Sequence, residues 1–215
     1  MKTISAHIIS DTEKWNCITH AAGVLFAILF KPGMLLDSYE AGDKQQFLNI
    51  VLYCISFFST FLSSTIYHGL TYPQLKNRFR KIDQASIHFL IAATYGPLIF
   101  KYMNTGKGLL LMTIVTAFVP VGVAMIRHYK SKYSSLMVTI YAFQGLMYLF
   151  FFNSFFRNMP SVTEQMILGG SMIVVAGIFF FKWQKWRYSH AIWNLFVLNG
   201  NIFFFFAIES SINNI

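Results

Sequence analysis

The chain has few charged residues. Asp, Glu, Lys and Arg make up 12% of its 215 residues, about half the share of roughly 25% that soluble domains carry. Acidic residues are the scarcest, with 8 Asp and Glu against 17 Lys and Arg. This composition excludes a soluble enzyme and predicts an integral membrane protein with little material outside the bilayer.

Cysteine is scarce too, and no signal peptide is visible. The two cysteines, Cys17 and Cys54, have no CxxC spacing, which argues against a disulfide scaffold. The first 16 residues contain no apolar core of the length that a signal peptide requires. We therefore expect the first membrane span itself to direct insertion.

Long apolar segments are what the chain has instead. Hydrophobic residues make up 55% of the sequence, and a helix needs about 20 of them to span a bilayer. The predicted fold class is all-α, an integral membrane bundle of seven transmembrane helices over residues 17–208, with a leader at 1–16 and a tail at 209–215. The expected spans are 17–36, 47–68, 85–103, 108–126, 136–156, 166–181 and 189–208. Lys31 and Pro32 interrupt the first span, and we expect Lys31 to extend to the membrane interface.

Basic residues are distributed unequally between the two sides of such a bundle. One side carries five of them: Lys31, Lys44, Lys101, Lys107 and Arg157. The other carries twelve: Lys2, Lys14, Lys76, Arg78, Arg80, Lys81, Arg127, Lys130, Lys132, Lys182, Lys185 and Arg187. Because cytoplasmic loops hold the excess of Lys and Arg, we predict a multi-pass plasma membrane protein with a cytoplasmic N-terminus and an external C-terminus. The net charge of +9 then reflects topology, and we expect no nucleic-acid partner.

Ionisable residues near the predicted inner ends of the spans indicate where chemistry occurs. Such residues are costly inside a membrane, so their presence needs a reason. Five such residues lie at one membrane depth and come from four predicted helices: His20, Ser64, His68, Asp83 and His190. Whether they converge depends on how the helices pack.

Helical spacing sorts these residues into faces. Residues four apart share a helix face, which pairs Ser64 with His68 and His190 with Asn194. A polar stripe at i, i+3 and i+7 is formed by Glu13, Asn16 and His20.

Imidazoles and a carboxylate on separate helices suit a zinc site. A catalytic zinc ion takes three protein ligands and leaves a position for water. His68 and His190 are two candidates, and the residues alone leave the third open. Asp83 is expected to orient or deprotonate water, the alternative being an ion pair with Lys81 or Arg80. His88 and His128 are interpreted as non-ligands.

Four motifs in order along the chain carry a resemblance to a known family. They are E-x-x-N-x-x-T-H at 13–20, S-x-x-Y-H at 64–68, KIDQASIHFLIAATYGP at 81–97 and YSHAIWNLFVLNG at 188–200. Together they resemble the hemolysin III branch of the progestin and adipoQ receptor family. The resemblance implies a seven-helix bundle with a zinc ion near the cytoplasmic surface. The family's kinship with adiponectin receptors and, more remotely, alkaline ceramidases implies hydrolysis of an amide bond in a membrane lipid.

The resemblance also assigns roles to residues. His68 and His190 match zinc ligands, and Ser64 and Asp83 match the residues that hold the zinc-bound water. The family pattern H-x-x-x-H has a histidine where this chain has Asn194, and a further family histidine is replaced by Phe204. An amide oxygen is a poor zinc ligand. The third ligand is therefore Asn194, His20 or Asp83, or the site binds Zn²⁺ weakly or has lost it.

Three functions are compatible with these residues. The first is a zinc-dependent hydrolase of lipid amide bonds at the cytoplasmic side, with a membrane lipid as substrate or ligand. The second is a non-catalytic membrane sensor or scaffold with a degenerate metal site, which Asn194 favours. The third is a pore or transporter, which ranks last because we expect no charged residue at the middle of any span.

Overall fold

The computed structural model describes residues 9–103, 105–128, 134–183 and 185–213. Throughout these ranges the regular structure is helical and no strand occurs. The helices are α1 (Asp11–Glu40), α2 (Lys44–Gly69), α3 (Pro73–Tyr102), α4 (Gly106–His128), α5 (Ser134–Gly145), a 3-10 helix (Met147–Phe151), α6 (Phe152–Phe156), α7 (Ser161–Lys182) and α8 (Ser189–Asn213). The prediction of an all-α fold is confirmed.

Six helical segments are long and apolar enough to cross a membrane, judged within the described ranges. They are Asp11–Glu40, Lys44–Gly69, Gly106–His128, Ser135–Phe156, Ser161–Lys182 and Ser189–Ile212. The chain is therefore a multi-pass membrane protein. The segment that falls short of these criteria is α3, which carries Lys76, Arg78, Arg80, Lys81 and Asp83 in its N-terminal half.

The largest differences between the helix starts and the predicted span starts are at α3 and α1. Proline, which is favoured in the first helical turn, starts α3 at Pro73, so Asp83 lies about three turns into the helix instead of opening it. Ser10 caps α1 by accepting a hydrogen bond from the backbone N–H of Glu13. The end of the predicted leader is thus helical. Residues 1–8, Asn104, the segment 129–133, Gln184 and residues 214–215 lie outside the described part.

The predicted fifth span is not one continuous α-helix. After Gly145 the chain passes through the 3-10 helix before α6 begins. The Tyr95 hydroxyl of α3 lies at this interruption, donating to the Gly145 carbonyl at 2.7 Å and accepting from the Tyr148 N–H at 3.2 Å. Backbone groups freed from an α-helix need such partners in a bilayer, so a side chain from a neighbouring helix stabilises the change.

The bundle is held by neighbouring helices packed along their length. α1 packs against α2 and α8, α2 also packs against α3, and α7 packs against α8. Close approach of α7 and α8 occurs at Gly170 and Gly200, where a Cβ on either residue would lie 2.9 Å from the carbonyl oxygen of the other. The lack of a side chain at these two positions allows the close packing of the two helices.

Lys31 is buried inside the bundle, so the prediction that it extends to the interface is wrong. Its side chain is 4% exposed. Its Nζ lies 3.6 Å from the ring centroid of Tyr53, 4.2 Å from that of Phe57 and 4.7 Å from that of Phe205. No hydrogen-bond partner for Nζ is present among the described residues. Cation–π contact with three rings takes the place of hydration.

Candidate functional site

The polar residues identified from the sequence lie around one cavity. Its volume is about 380 Å³. Its lining includes all five predicted site residues, Ser64, His68, Asp83, His190 and Asn194, together with His20. They come from α1, α2, α3 and α8, so helix packing brings together groups that are distant in the chain. Their roles in catalysis and metal binding remain predictions.

Ser64 and Asp83 form a hydrogen-bonded pair across α2 and α3. The Ser64 hydroxyl donates to Asp83 Oδ1. The Ser86 hydroxyl donates to the Asp83 carbonyl oxygen at 2.7 Å, which fixes the backbone there. The alternative ion pair with Lys81 or Arg80 does not occur among the ion pairs of the described residues. The carboxylate is therefore held by a neutral donor on the cavity wall.

His68 is bound on one side by a carboxylate. Its Nδ1 lies 2.5 Å from Glu13 Oε2, and the other oxygen of Glu13 lies 3.1 Å from Lys76 Nζ. Lys76 also donates to the carbonyl oxygens of Tyr67 and Leu70 at the end of α2. A histidine that donates Nδ1–H to a carboxylate keeps Nε2 free as a metal ligand.

Glu13 is the site residue that sequence reasoning missed. We assigned it to the leader and gave it no role beyond a polar stripe. Two signals pointed to it: its first place in the E-x-x-N-x-x-T-H motif, and its spacing of seven from His20. Neither signal shows that the carboxylate contacts His68, because that contact depends on how α1 packs against α2.

Three imidazoles are adjacent at the cavity. The ring centroids of His20 and His68 are 5.6 Å apart and the two planes differ by 6°, so the rings are stacked. The centroids of His68 and His190 are 5.5 Å apart. His20 Nδ1 is buried and has no hydrogen-bond partner within the described structure. An unpaired polar atom of this kind is costly and calls for an explanation.

Asn194 is buried between α8 and α1. Its side chain is 2% exposed, and its amide nitrogen donates to Thr19 Oγ1 at 3.4 Å. Phe204, at the place of the further family histidine, lines the cavity as an apolar group.

The donor groups fit zinc in chemistry, although they do not form a closed ligand set. Across the residues that the structure describes, no group of three or more His, Cys, Asp or Glu side chains is arranged to hold a metal ion. However, neutral imidazole is a preferred zinc ligand, and His20 offers an unpaired buried nitrogen at the same cavity. The carboxylate behind His68 is the partner that ligating histidines usually have.

The remaining described histidines lie elsewhere. His88 is fully buried on α3, and its Nδ1 donates to Gln144 Oε1 at 2.7 Å. His128 is exposed at the end of α4. Neither lines the cavity.

Away from the histidines the cavity walls are mostly apolar. Leu90, Leu98, Phe155, Ile167 and Val174 line this part, contributed by α3, α6 and α7. A ligand complementary to this cavity would place a polar group beside the imidazoles and a hydrocarbon chain along these walls.

Comparison with known proteins agrees with the resemblance of the motifs. The model of the family described as "Haemolysin-III related" matches residues 9–205. Hemolysin-3 of Bacillus cereus is 25% identical over 193 residues, covering 90% of this chain and 88% of that protein. The Hemolysin-3 homolog of Bacillus subtilis (strain 168) is also 25% identical over 193 residues, covering 90% and 91%. The human Monocyte to macrophage differentiation factor is 25% identical over 203 residues, covering 90% and 81%. A family match over nearly the whole described chain, on a multi-pass helical bundle, shows that this protein belongs to the haemolysin-III related family.

Proposed function

We propose that this protein is a zinc-dependent hydrolase of lipid amide bonds, with a membrane lipid as its substrate. The observation that supports it is that the Ser64–Asp83 pair and three imidazoles line one cavity whose other walls are mostly apolar. The amide group of a lipid would lie beside the polar residues, with its acyl chain along the apolar walls. The resemblance to a family related to ceramidases supports the same reaction.

The proposed topology puts this chemistry at the cytoplasmic side of the plasma membrane. In this topology segment 85–103 would be the third of seven spans, with the N-terminus inside and the C-terminus outside. The supporting observation is the distribution of twelve Lys and Arg residues on one side and five on the other.

Zinc would be held by His68 and His190 with a third protein ligand. When bound in this way, zinc polarises a carbonyl group and lowers the pKa of water to about 7. Glu13 accepts a hydrogen bond from His68 Nδ1–H. Nε2, on the other side of the ring, then keeps its lone pair for the metal.

Asp83 is the proposed base. It takes a proton from water as the water oxygen forms a bond to the amide carbonyl carbon, and it returns that proton to the amine nitrogen as the C–N bond breaks. The products are a fatty acid and a free amine. The Ser64 hydroxyl, by donating to Oδ1, fixes the direction in which the carboxylate faces.

The test is hydrolysis of N-acyl lipids by the purified zinc-loaded protein in nanodiscs, followed by mass spectrometry of released fatty acid. Asp83→Asn keeps the size of the side chain and should abolish turnover without lowering thermal stability. Asp37→Asn is the control, because Asp37 is an exposed carboxylate near the opposite end of α1. Equal turnover in wild type and Asp83→Asn would reject Asp83 as the base.

A second candidate is a membrane sensor or scaffold that does not catalyse a reaction. The absence of a closed ligand set among the described residues favours it, as does Asn194 in place of the family histidine. This candidate predicts that wild-type protein releases no fatty acid from ceramide or other N-acyl lipids, even when it contains stoichiometric zinc.

A further inference from the structure

We propose that His20 of α1 is the third imidazole ligand of the metal, in place of the histidine that α8 lacks at position 194. The proposal rests on the metal centre of the proposed function and names a ligand from a different helix. It follows from the spacing of the three rings, the unpaired nitrogen of His20 and the hydrogen bond of Asn194.

The spacing of the rings already suits a shared ion. With nitrogens about 2.0–2.1 Å from a tetrahedral zinc ion, two ligating imidazoles have centroids about 5 Å apart. The centroid of His68 is 5.6 Å from that of His20 and 5.5 Å from that of His190. The distances thus agree to within about 1 Å, and His68 is the common neighbour.

The orientation of the rings differs from that of a formed metal site, in which all ligands face one ion. His20 and His68 are parallel to within 6°, whereas two imidazoles bound to one ion direct nitrogens from each ring at the same point. The proposal therefore requires the His20 side chain to rotate so that one of its nitrogens faces the point shared with His68 and His190. His20 Nδ1 is available for it, because the atom is buried with no hydrogen-bond partner among the described residues.

Asn194 forms a hydrogen bond to α1. Its amide nitrogen donates to Thr19, the residue next to His20. An amide is a poor ligand for zinc, and this one holds α8 against the helix that carries the unpaired imidazole. The family histidine is therefore missing at a position of α8 that faces the helix carrying the unpaired imidazole of His20.

X-ray absorption of zinc-loaded protein in detergent tests the assignment, because it counts the imidazoles around the ion. We expect three in wild type and two in His20→Leu, with zinc affinity reduced at least tenfold in competition with a series of chelators. Asn194→Ala should keep three imidazoles. His128→Leu, which removes an exposed imidazole, is the control for loosely bound zinc and should leave the count and the affinity unchanged.

Two outcomes would overturn the proposal in different ways. Zinc held by two imidazoles in wild type would reject His20 alone and leave the metal centre in place. Wild type with no zinc would reject the metal centre and the ligand together. The wild-type count does not depend on any variant folding, and the melting temperature of His20→Leu shows whether its affinity can be compared.

Discussion

The Nδ1 atom of His68 lies 2.5 Å from Oε2 of Glu13, which joins the last turn of α2 to the first turn of α1. A carboxylate at this distance accepts a hydrogen bond from Nδ1–H, and a neutral imidazole protonated at Nδ1 has an unprotonated Nε2, the form in which imidazole binds metals. Lys76 pairs with the other carboxylate oxygen at 3.1 Å and so holds Glu13 in place.

The variant Glu13→Gln tests this relationship. Glutamine keeps the shape of the side chain but removes the charge, so we expect zinc affinity to fall about 10–100-fold, the range seen when the partner of a ligating histidine is lost. Competition with chelators measures it. Asp11→Asn is the matched control, since it removes an exposed carboxylate that pairs with Arg187 at 2.8 Å. An equal loss of zinc affinity in both variants would mean that removing any nearby negative charge weakens binding, whether or not the carboxylate contacts His68.

The variant Asn194→His gives α8 two histidines four residues apart, on one helix face. We expect zinc to bind at least tenfold more tightly and the imidazole count to rise from three to four. Hydrolysis should fall, because a catalytic zinc ion needs one position free for water. Affinity equal to that of wild type would show that position 194 does not face the metal.

The variant Tyr95→Phe removes the hydroxyl that lies at the interruption between α5 and the 3-10 helix. The Gly145 carbonyl and the Tyr148 N–H then lose a partner in a membrane interior, which should cost about 1–3 kcal/mol. Thermal unfolding in detergent measures this loss. Tyr39→Phe, at a residue that is 68% exposed, should leave the melting temperature unchanged, and a similar decrease in both variants would contradict the prediction.

The variant Lys31→Met should not destabilise the protein. Methionine matches the unbranched shape of lysine and removes an amine without hydrogen-bond partners in the described structure. Desolvation of a buried charge costs several kcal/mol, more than the roughly 0.5–2 kcal/mol of a cation–π contact. The melting temperature in detergent should therefore stay the same or rise. A clear decrease would show that the three aromatic rings outweigh the cost of burial.

The orientation of the bundle can be tested with reporters at its two faces. A reporter that is active only outside the cytoplasm should be active when fused to the C-terminus, and inactive when inserted after residue 130. The opposite pattern would place the candidate site on the external side.

Hydropathy predicts most of this fold because the bilayer requires long apolar helices. It fails at α3, where Pro73 starts a helix whose first turns are charged, and at Gly145, where the helix changes because Tyr95 belongs to a different helix. Hydropathy also fails to predict the burial of Lys31, because the three aromatic rings that surround its amine come from α2 and α8.

The candidate site is predictable in part for a similar reason. Depth in the membrane follows from sequence position, so His68, Asp83 and His190 could be grouped by their place at the span ends. Contacts between side chains of different helices do not follow from sequence position. Glu13 reaches His68, and His20 stacks on His68, because α1 packs against α2.

The candidate site has a consequence for biosynthesis, because two of its imidazoles, His20 and His190, lie on the first and last helices α1 and α8. The ribosome has yet to translate α8 when α1, with His20, enters the membrane, and N-terminal parts fold first. A chain that stops before residue 189 would insert most of its helices but lack His190. If His20 and His190 bind one ion as proposed, the site can close only in a chain whose α8 has been completed.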